Sequence, residues 1–131
     1  MAKVVVFEDG SLDVCDRYSQ LVPKHEVHIY MLASFFEGAK FGMVEKGGFD
    51  PEQIYPKIPD EIMPADVYFL DGLAGKCLEI FPRLPHDRSF LVSSNPAIQE
   101  EVKNAGYQLA TYVDVFCEKG YFTVADTNQL L

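Results

Sequence analysis

The run Val4-Val5-Val6-Phe7, followed at once by Glu8-Asp9-Gly10, constrains the fold more than any other stretch of the chain. Four apolar residues in succession leave no polar face. A strand built from them is buried on both sides, as in a parallel sheet covered by helices. Its two acids then stand at the carboxyl end of the strand, the edge where open α/β sheets bind ligands. A second run, Asp66-Val67-Tyr68-Phe69-Leu70-Asp71-Gly72, repeats the arrangement and ends on Asp71, and a third, Phe90-Leu91-Val92-Ser93-Ser94-Asn95, ends in hydroxyls. Strand ends thereby offer acids and hydroxyls to one common site.

The segments between these runs read as crossovers. After Gly10, apolar residues at Leu12, Val14, Cys15, Tyr18, Leu21 and Val22 recur at helical intervals, with Ser11 to cap and Pro23 to stop the helix. Residues 25–31 alternate as a second strand. Residues 32–64 are the least regular part: Phe35, Phe36 and Phe41 precede Gly47-Gly48, and Pro51, Pro56, Pro59 and Pro64 punctuate the rest. This reads as a helix over 33–44 and a long loop, more than the roughly 10–12 residues a parallel crossover needs. Residues 66–70 form the third strand, and the helix carrying Cys77, Leu78, Ile80 and Phe81 ends at Pro82 and Pro85. The fourth strand spans 90–93. Asn95-Pro96 then supplies a cap and a first helical position, and Gly106 stops the helix after Ala105. A fifth strand over 108–116 and a brief helix over 123–131 complete the pattern. Strands alternating with helices predict an α/β fold, a five-stranded parallel sheet with helices on both faces. Right-handed crossovers and a single switch point favour the strand order 2-1-3-4-5, which seats strands one and three side by side and brings Glu8, Asp9 and Asp71 together.

Size and charge narrow the function. With 131 residues, 48% of them hydrophobic, residues 1–131 fit a single domain. Twenty acidic residues against eleven basic give a formal charge of -9, which repels phosphate backbones and sets nucleic acid aside as a partner. No apolar run reaches membrane-spanning length, and Met1-Ala2-Lys3 leaves no room for the apolar core of a signal peptide. Cys15, Cys77 and Cys117 are odd in number and form no Cys-x-x-Cys pair. They read as buried thiols in a reducing cytoplasm, with neither a disulfide framework nor a zinc site.

Taken in order, four pieces resemble the receiver domains of two-component response regulators, over nearly the whole chain. Val6-Phe7-Glu8-Asp9 is similar to the metal-binding acidic pair, Val67-Tyr68-Phe69-Leu70-Asp71 to the phospho-acceptor strand, Leu91-Val92-Ser93 to the hydroxyl strand, and Asn104-Ala105-Gly106-Tyr107 to the turn before the last strand. The resemblance implies a flavodoxin-like three-layer sandwich with an enlarged connection between strands two and three, standing alone as a cytoplasmic phosphorelay module. It implies that Glu8, Asp9 and Asp71 hold a magnesium ion through oxygen ligands. Asp71 would attack phosphorus in line while the metal neutralises the phosphoryl group. Ser93, or Ser94 with a register shift of one, would hydrogen-bond a phosphoryl oxygen, and Tyr112 would be the switch aromatic. The implied partners are a sensor kinase, another signalling protein or a second copy of this chain.

The departures from that pattern are specific. Receivers carry a lysine, followed by proline, at the end of the last strand, and counting from Ala105 or Ser93 lands on Val113 or Val115. At about 4 Å and an effective dielectric of about 20, a missing unit charge forgoes about 4 kcal/mol of gross attraction. Lys119 lies a few residues further on. Asp71 is followed by Gly72-Leu73-Ala74-Gly75 in place of the usual Met-Pro, and the final helix is short. These features mark an atypical receiver, either controlled by phosphorylation or a pseudo-receiver that docks without it, and an interaction module rather than an enzyme.

Other readings compete. Phe7-Glu8-Asp9-Gly10-Ser11-Leu12 resembles the Asp-x-Asp-Gly-Thr motif of haloacid-dehalogenase-type phosphatases, and Leu91-Val92-Ser93-Ser94-Asn95 their second motif. That reading makes Asp9 central but puts Phe7 where the nucleophile belongs, and a phenyl ring cannot attack phosphorus. A flavodoxin-like ligand-binding domain is a third reading, without a recognisable phosphate-cradling loop. Singly, Glu8 and Asp9 suit a strand end meeting a helix dipole, and Ser93 and Ser94 suit a helix cap. Together with Asp71 the acids favour a site, because three carboxylates repel unless a cation or proton intervenes. His25 and His28, three apart on a strand, face opposite sides and share no metal, which leaves exposed or edge-strand histidines. The aromatics of 35–49 read as cover for the sheet, with a docking surface as the alternative. Gly75-Lys76 lacks the glycine spacing of a phosphate loop.

Overall fold

The computed structural model describes residues 2–8, 18–22, 24–32, 36–71, 76–93 and 95–109. Its strands are β1 (Lys3–Glu8), β2 (Glu26–Met31), β3 (Ile54–Tyr55), β4 (Val67–Asp71), β5 (Ser89–Val92) and β6 (Gln108–Leu109). The helices are α1 (Phe36–Gly47), α2 (Cys77–Ile80) and α3 (Pro96–Asn104). Every strand pairing is parallel, and the order is β3-β2-β1-β4-β5-β6.

The parallel α/β sheet matches the expectation from sequence. Strand number and order do not: six strands replace five, and the order is not 2-1-3-4-5. The difference arises in the stretch 32–64, where the sequence predicts a long loop after the helix. Ile54 and Tyr55, a β-branched and an aromatic residue, pair with Ile29 and Tyr30 and cover the outer side of β2. Pro56 follows at once, and having no N–H for the ladder, it ends the strand after two residues.

Alternation along the strands divides the core into two layers. On one face, Val4, Val6, Ile29 and Phe69 pack with Tyr18 and Leu21 and with Ala39 and Met43 of α1. On the other, Val5, Phe7, Tyr30 and Leu70 pack with Cys77, Ile80 and Phe81 and with Val102 of α3. Ile58, Ile62 and Met63, from the connection between β3 and β4, also lie on this second face. The chain therefore winds outward from β1 through β2 and β3 over the first face, crosses back along the second, and winds outward again from β4 through β5 and β6. Two windings leaving a common centre in opposite directions place the topological switch point between β1 and β4.

Local chemistry sets the element ends. The helix expected over 33–44 is described from Phe36 and continues to Gly47, where a Cβ would run into the Phe49 ring. Gly48, at φ +70°, supplies the left-handed stop, its N–H donating to the Val44 carbonyl at 3.2 Å. α2 ends, as expected, just ahead of Pro82. Pro82 sits in the first turn of a 3-10 segment, Phe81–Arg83, where its fixed φ is tolerated. Asn95 caps α3 as expected, Oδ1 accepting from the Ala97 N–H at 2.9 Å, and Gly106 at φ +89° turns the chain into β6. Of the first crossover helix, residues 18–22 are described and carry a 3-10 turn, Ser19–Leu21. The remainder of the fifth predicted strand and the helix over 123–131 lie outside the described residues. Among the described residues, no helix is long and apolar enough to cross a membrane.

Candidate functional site

The ladder between β1 and β4 pairs Glu8 directly with Asp71. Neighbouring strands stand about 4.8 Å apart, and paired residues of a parallel ladder share a face. Alternation from Val4 and Val6 assigns Glu8 to the α1 face, and alternation from Val67 and Phe69 assigns Asp71 to the same one. Both are buried, Glu8 to 1% exposure and Asp71 to 4%. Met31 pairs with Glu8 on one side and Val92 with Asp71 on the other, so apolar residues bracket the acids along the row. Like charges at this separation repel far more strongly in an apolar setting than in water. Both can be ionised only beside a metal ion or a cationic side chain, and otherwise one of them keeps its proton.

The remaining predicted site residues divide. Asp9, Ser94 and Tyr112, like Val113, Val115 and Lys119, lie outside the described residues. Ser93 follows Val92, the partner of Asp71, by one position, and its Oγ accepts from the Asn95 N–H at 3.1 Å. Its carbonyl accepts from Gln99 Nε2 at 2.5 Å, so here Ser93 shapes the entry to α3. Phe7 points into the opposite layer, fully buried, with its ring stacked on Tyr30 at 5.4 Å. Among the described residues, no group of three or more His, Cys, Asp or Glu is placed to hold a metal ion. Two buried carboxylates nonetheless suit magnesium, which binds hard oxygen donors through one or two acids and keeps several waters.

A second ionisable cluster lies at the β2–β3 side. The sequence reading of His28 as exposed or at an edge does not hold. The residue is buried to 8%, covered by β3, with both ring nitrogens engaged. Nε2 stands 2.5 Å from Glu26 Oε2 and Nδ1 stands 2.8 Å from the Tyr55 hydroxyl. The His28 hydrogen bond, assisted by the charges of His28 and Lys3, holds the Glu26 carboxyl below its ordinary range against the opposing effect of burial. Burial pushes the Tyr55 phenol up, with Glu26 and Asp50 adding to the shift, and burial likewise raises Tyr30 and Tyr68. His25 takes no part, since its Nδ1 accepts from the Ala2 N–H at 2.9 Å. The i, i+2 spacing of Glu26 and His28 could have revealed their contact on a strand. Nothing local could have added Tyr55, 27 residues away.

A cavity of about 370 Å³ opens at the amino edge of β2, beside His25, Glu26, Phe49 and Asp50. Its acids are already committed, Glu26 to His28 and Asp50 Oδ1 to the Glu52 N–H at 2.9 Å. The chemistry of interest therefore stays at the carboxyl edge.

Fold and site together define a doubly wound parallel α/β chain with a buried carboxylate pair at its switch point. No family model matches it, and no solved structure does. A 23-residue segment is 65% identical to part of an imidazolonepropionase from Christiangramia forsetii, covering 18% of this chain and 6% of that enzyme. A match of that length carries neither a family nor an activity to the chain.

Proposed function

We propose that the chain is a flavodoxin-like, atypical receiver in which Asp71 accepts a phosphoryl group beside a magnesium ion held by Asp71, Glu8 and Asp9. The observation that carries this reading is the direct pairing of Glu8 with Asp71, buried and on one face at the switch point. With β3 set aside as an added outer strand, the succession β2-β1-β4-β5-β6 is the 2-1-3-4-5 arrangement of flavodoxin-like sheets. The crossing from the outer strands to β4 runs on the second face, as right-handedness demands, so α1 and β3 read as an excursion made before that crossing.

When bound, magnesium would neutralise the charge of the phosphoryl group. The chain's own part is to hold the Asp71 carboxylate at the end of a rigid strand, beside a second acid that fixes the cation, within an apolar row that limits water. Ser93 Oγ accepts from the Asn95 N–H at the start of α3, so donation of its O–H to a phosphoryl oxygen would tie the phosphoryl group directly to that helix entry. That gives the switch a specific first contact.

Two other readings are less well supported. The six-strand order is also that of dinucleotide-binding sheets, but the sequence that follows β1 reads Asp9-Gly10-Ser11-Leu12-Asp13-Val14 without a G-x-G-x-x-G pattern. The phosphatase reading needs a carboxylate at position 7, where the Phe7 ring fills the core. The test is acetyl phosphate or beryllofluoride with magnesium, followed by intact mass and amide spectra, on the native chain and on Asp71→Asn. The native chain gains one phosphoryl group and the variant gains none. A gain that survives Asp71→Asn, or a magnesium titration that leaves the amides of residues 8 and 71 unmoved, overturns the reading.

A further inference from the structure

The chain leaves β5 for α3 through a turn fastened by side chains. Val92, the partner of Asp71, is the last residue of β5, and the described pairs between β5 and β6 end one position earlier, at Leu91. The Ser93 carbonyl therefore falls beyond both ladders. It accepts instead from Nε2 of Gln99, the fourth residue of α3, at 2.5 Å. Two more bonds complete the turn, the Asn95 N–H donating to Ser93 Oγ at 3.1 Å and the Ala97 N–H to Asn95 Oδ1 at 2.9 Å. The Asn95 side chain serves α3 alone, as a cap does. Gln99 differs, because its amide reaches back six residues and joins the helix to the strand exit.

We propose that Gln99 is a positioning residue of the phosphoryl site, one that sets how Ser93 offers its hydroxyl and carries the engagement of that hydroxyl into α3. The inference rests on the reading of Asp71 as a phospho-acceptor with Ser93 beside it. Gln99 holds Ser93 at its carbonyl and Asn95 holds it at Oγ, so both the backbone exit and the side-chain rotamer are tied. Rotation of the O–H is the freedom that remains. A hydroxyl has one donor and two acceptor positions, and the Asn95 N–H uses one acceptor. The donor stays available to a phosphoryl oxygen.

The route onward is short. Val102 stands one turn beyond Gln99 on α3 and is buried in the second layer, which also holds Leu70, the residue before Asp71, and Leu91 of β5. A pull on the Ser93 carbonyl thus acts on a helix that shares its packing with the acceptor strand. Side-chain bonds of this kind lie outside the regular helix and strand ladders, so they can rearrange without unravelling either element. Gln99 is the one of the three that spans both.

The test uses the full chain, with beryllofluoride and magnesium as the probe and amide spectra as the readout. In the native chain, the Gln99 side-chain amide and the backbone amides of Ile98 to Val102 move with the same saturation curve as the Asp71 amide. Gln99→Leu keeps the bulk and removes the donor without adding charge, and it weakens beryllofluoride affinity about fivefold, the worth of one hydrogen bond. Ser93→Ala weakens it as well, and adding Gln99→Leu to Ser93→Ala weakens it no further, because Gln99 acts through that hydroxyl. A purely structural role for Gln99 gives additive losses, and additivity overturns the proposal. A Gln99 side-chain amide that stays unmoved while Asp71 saturates overturns the proposal alone, and it needs no substitution, so it decides the matter where a variant fails to fold. A native chain without any Asp71-dependent response overturns the receiver reading and this inference with it.

Discussion

The chain holds two clusters of ionisable side chains on one sheet, and they are built on opposite principles. At the β1–β4 switch point, Glu8 and Asp71 are two acids, paired side by side and buried. At the β2–β3 side, Glu26, His28 and Tyr55 are joined by two hydrogen bonds in sequence through the two ring nitrogens of His28, so the groups satisfy one another. Buried like charges depend on a counter-charge and thereby respond to whatever supplies it, whereas a matched array is complete and stabilises the strands that carry it. The first arrangement suits a switch. The second suits a strut.

Between them runs one row of side chains, Tyr55, Tyr30, Phe7 and Leu70, in direct register across four strands. Truncating Phe7 in that row to alanine is the largest perturbation, costing about 3–5 kcal/mol in denaturant unfolding. If the clusters are separate, amide exchange accelerates at both while the Glu26–His28 contact persists. Loss of that contact in the folded variant would show that the two act as one unit. Magnesium comes next: at about 100 times its dissociation constant it stabilises the native chain by about 2.7 kcal/mol, read from the shift in melting temperature. The increment disappears in Asp71→Asn and persists in Glu26→Gln.

His28→Ala leaves the Tyr55 hydroxyl without its His28 hydrogen-bond partner and costs about 1–3 kcal/mol. Exchange then rises at Ile54 and Tyr55 and leaves Val67 to Asp71 unchanged. The smallest effect is the pH response of the matched cluster. Because the folded pKa of Glu26 is lowered from 4.5, its contribution is present above that value and fades as pH falls through the lowered one. At the alkaline end the signs reverse: the raised phenols of Tyr30, Tyr55 and Tyr68 contribute fully below 10.0 and lose that contribution as pH rises past it. Melting temperature against pH checks both limbs, and His28→Gln flattens the acid one.

Some of this was legible in single stretches of chain. Val4-Val5-Val6-Phe7 and Val67-Tyr68-Phe69-Leu70 carried their own statement of burial on two faces, and Asn95-Pro96 with Gly106 marked α3 almost to the residue. Residues 32–64 misled because Ile54 and Tyr55 are too few to show a period, and because the prolines around them signal loop equally well. Ser93 was drawn into the site by its position. Its hydroxyl also accepts from the Asn95 N–H, a local bond that residue type alone does not reveal. His28 was misjudged for the same reason as Tyr55 was missed: the strand that covers one and carries the other was not foreseen.

The amino-acid sequence by itself determined that the chain forms a parallel α/β sheet with acids at the carboxyl ends of β1 and β4. That follows from hydrophobic runs, caps and stops, which act over a few residues. The nearness of Glu8 and Asp71 also followed from crossover rules, but only the tertiary structure decided that the two pair in direct register, that a two-residue strand closes the outer side of β2, and that Tyr55 reaches His28. Those outcomes depend on register and crossover direction, which are settled by the packing of segments tens of residues apart and leave no local trace in the order of residues.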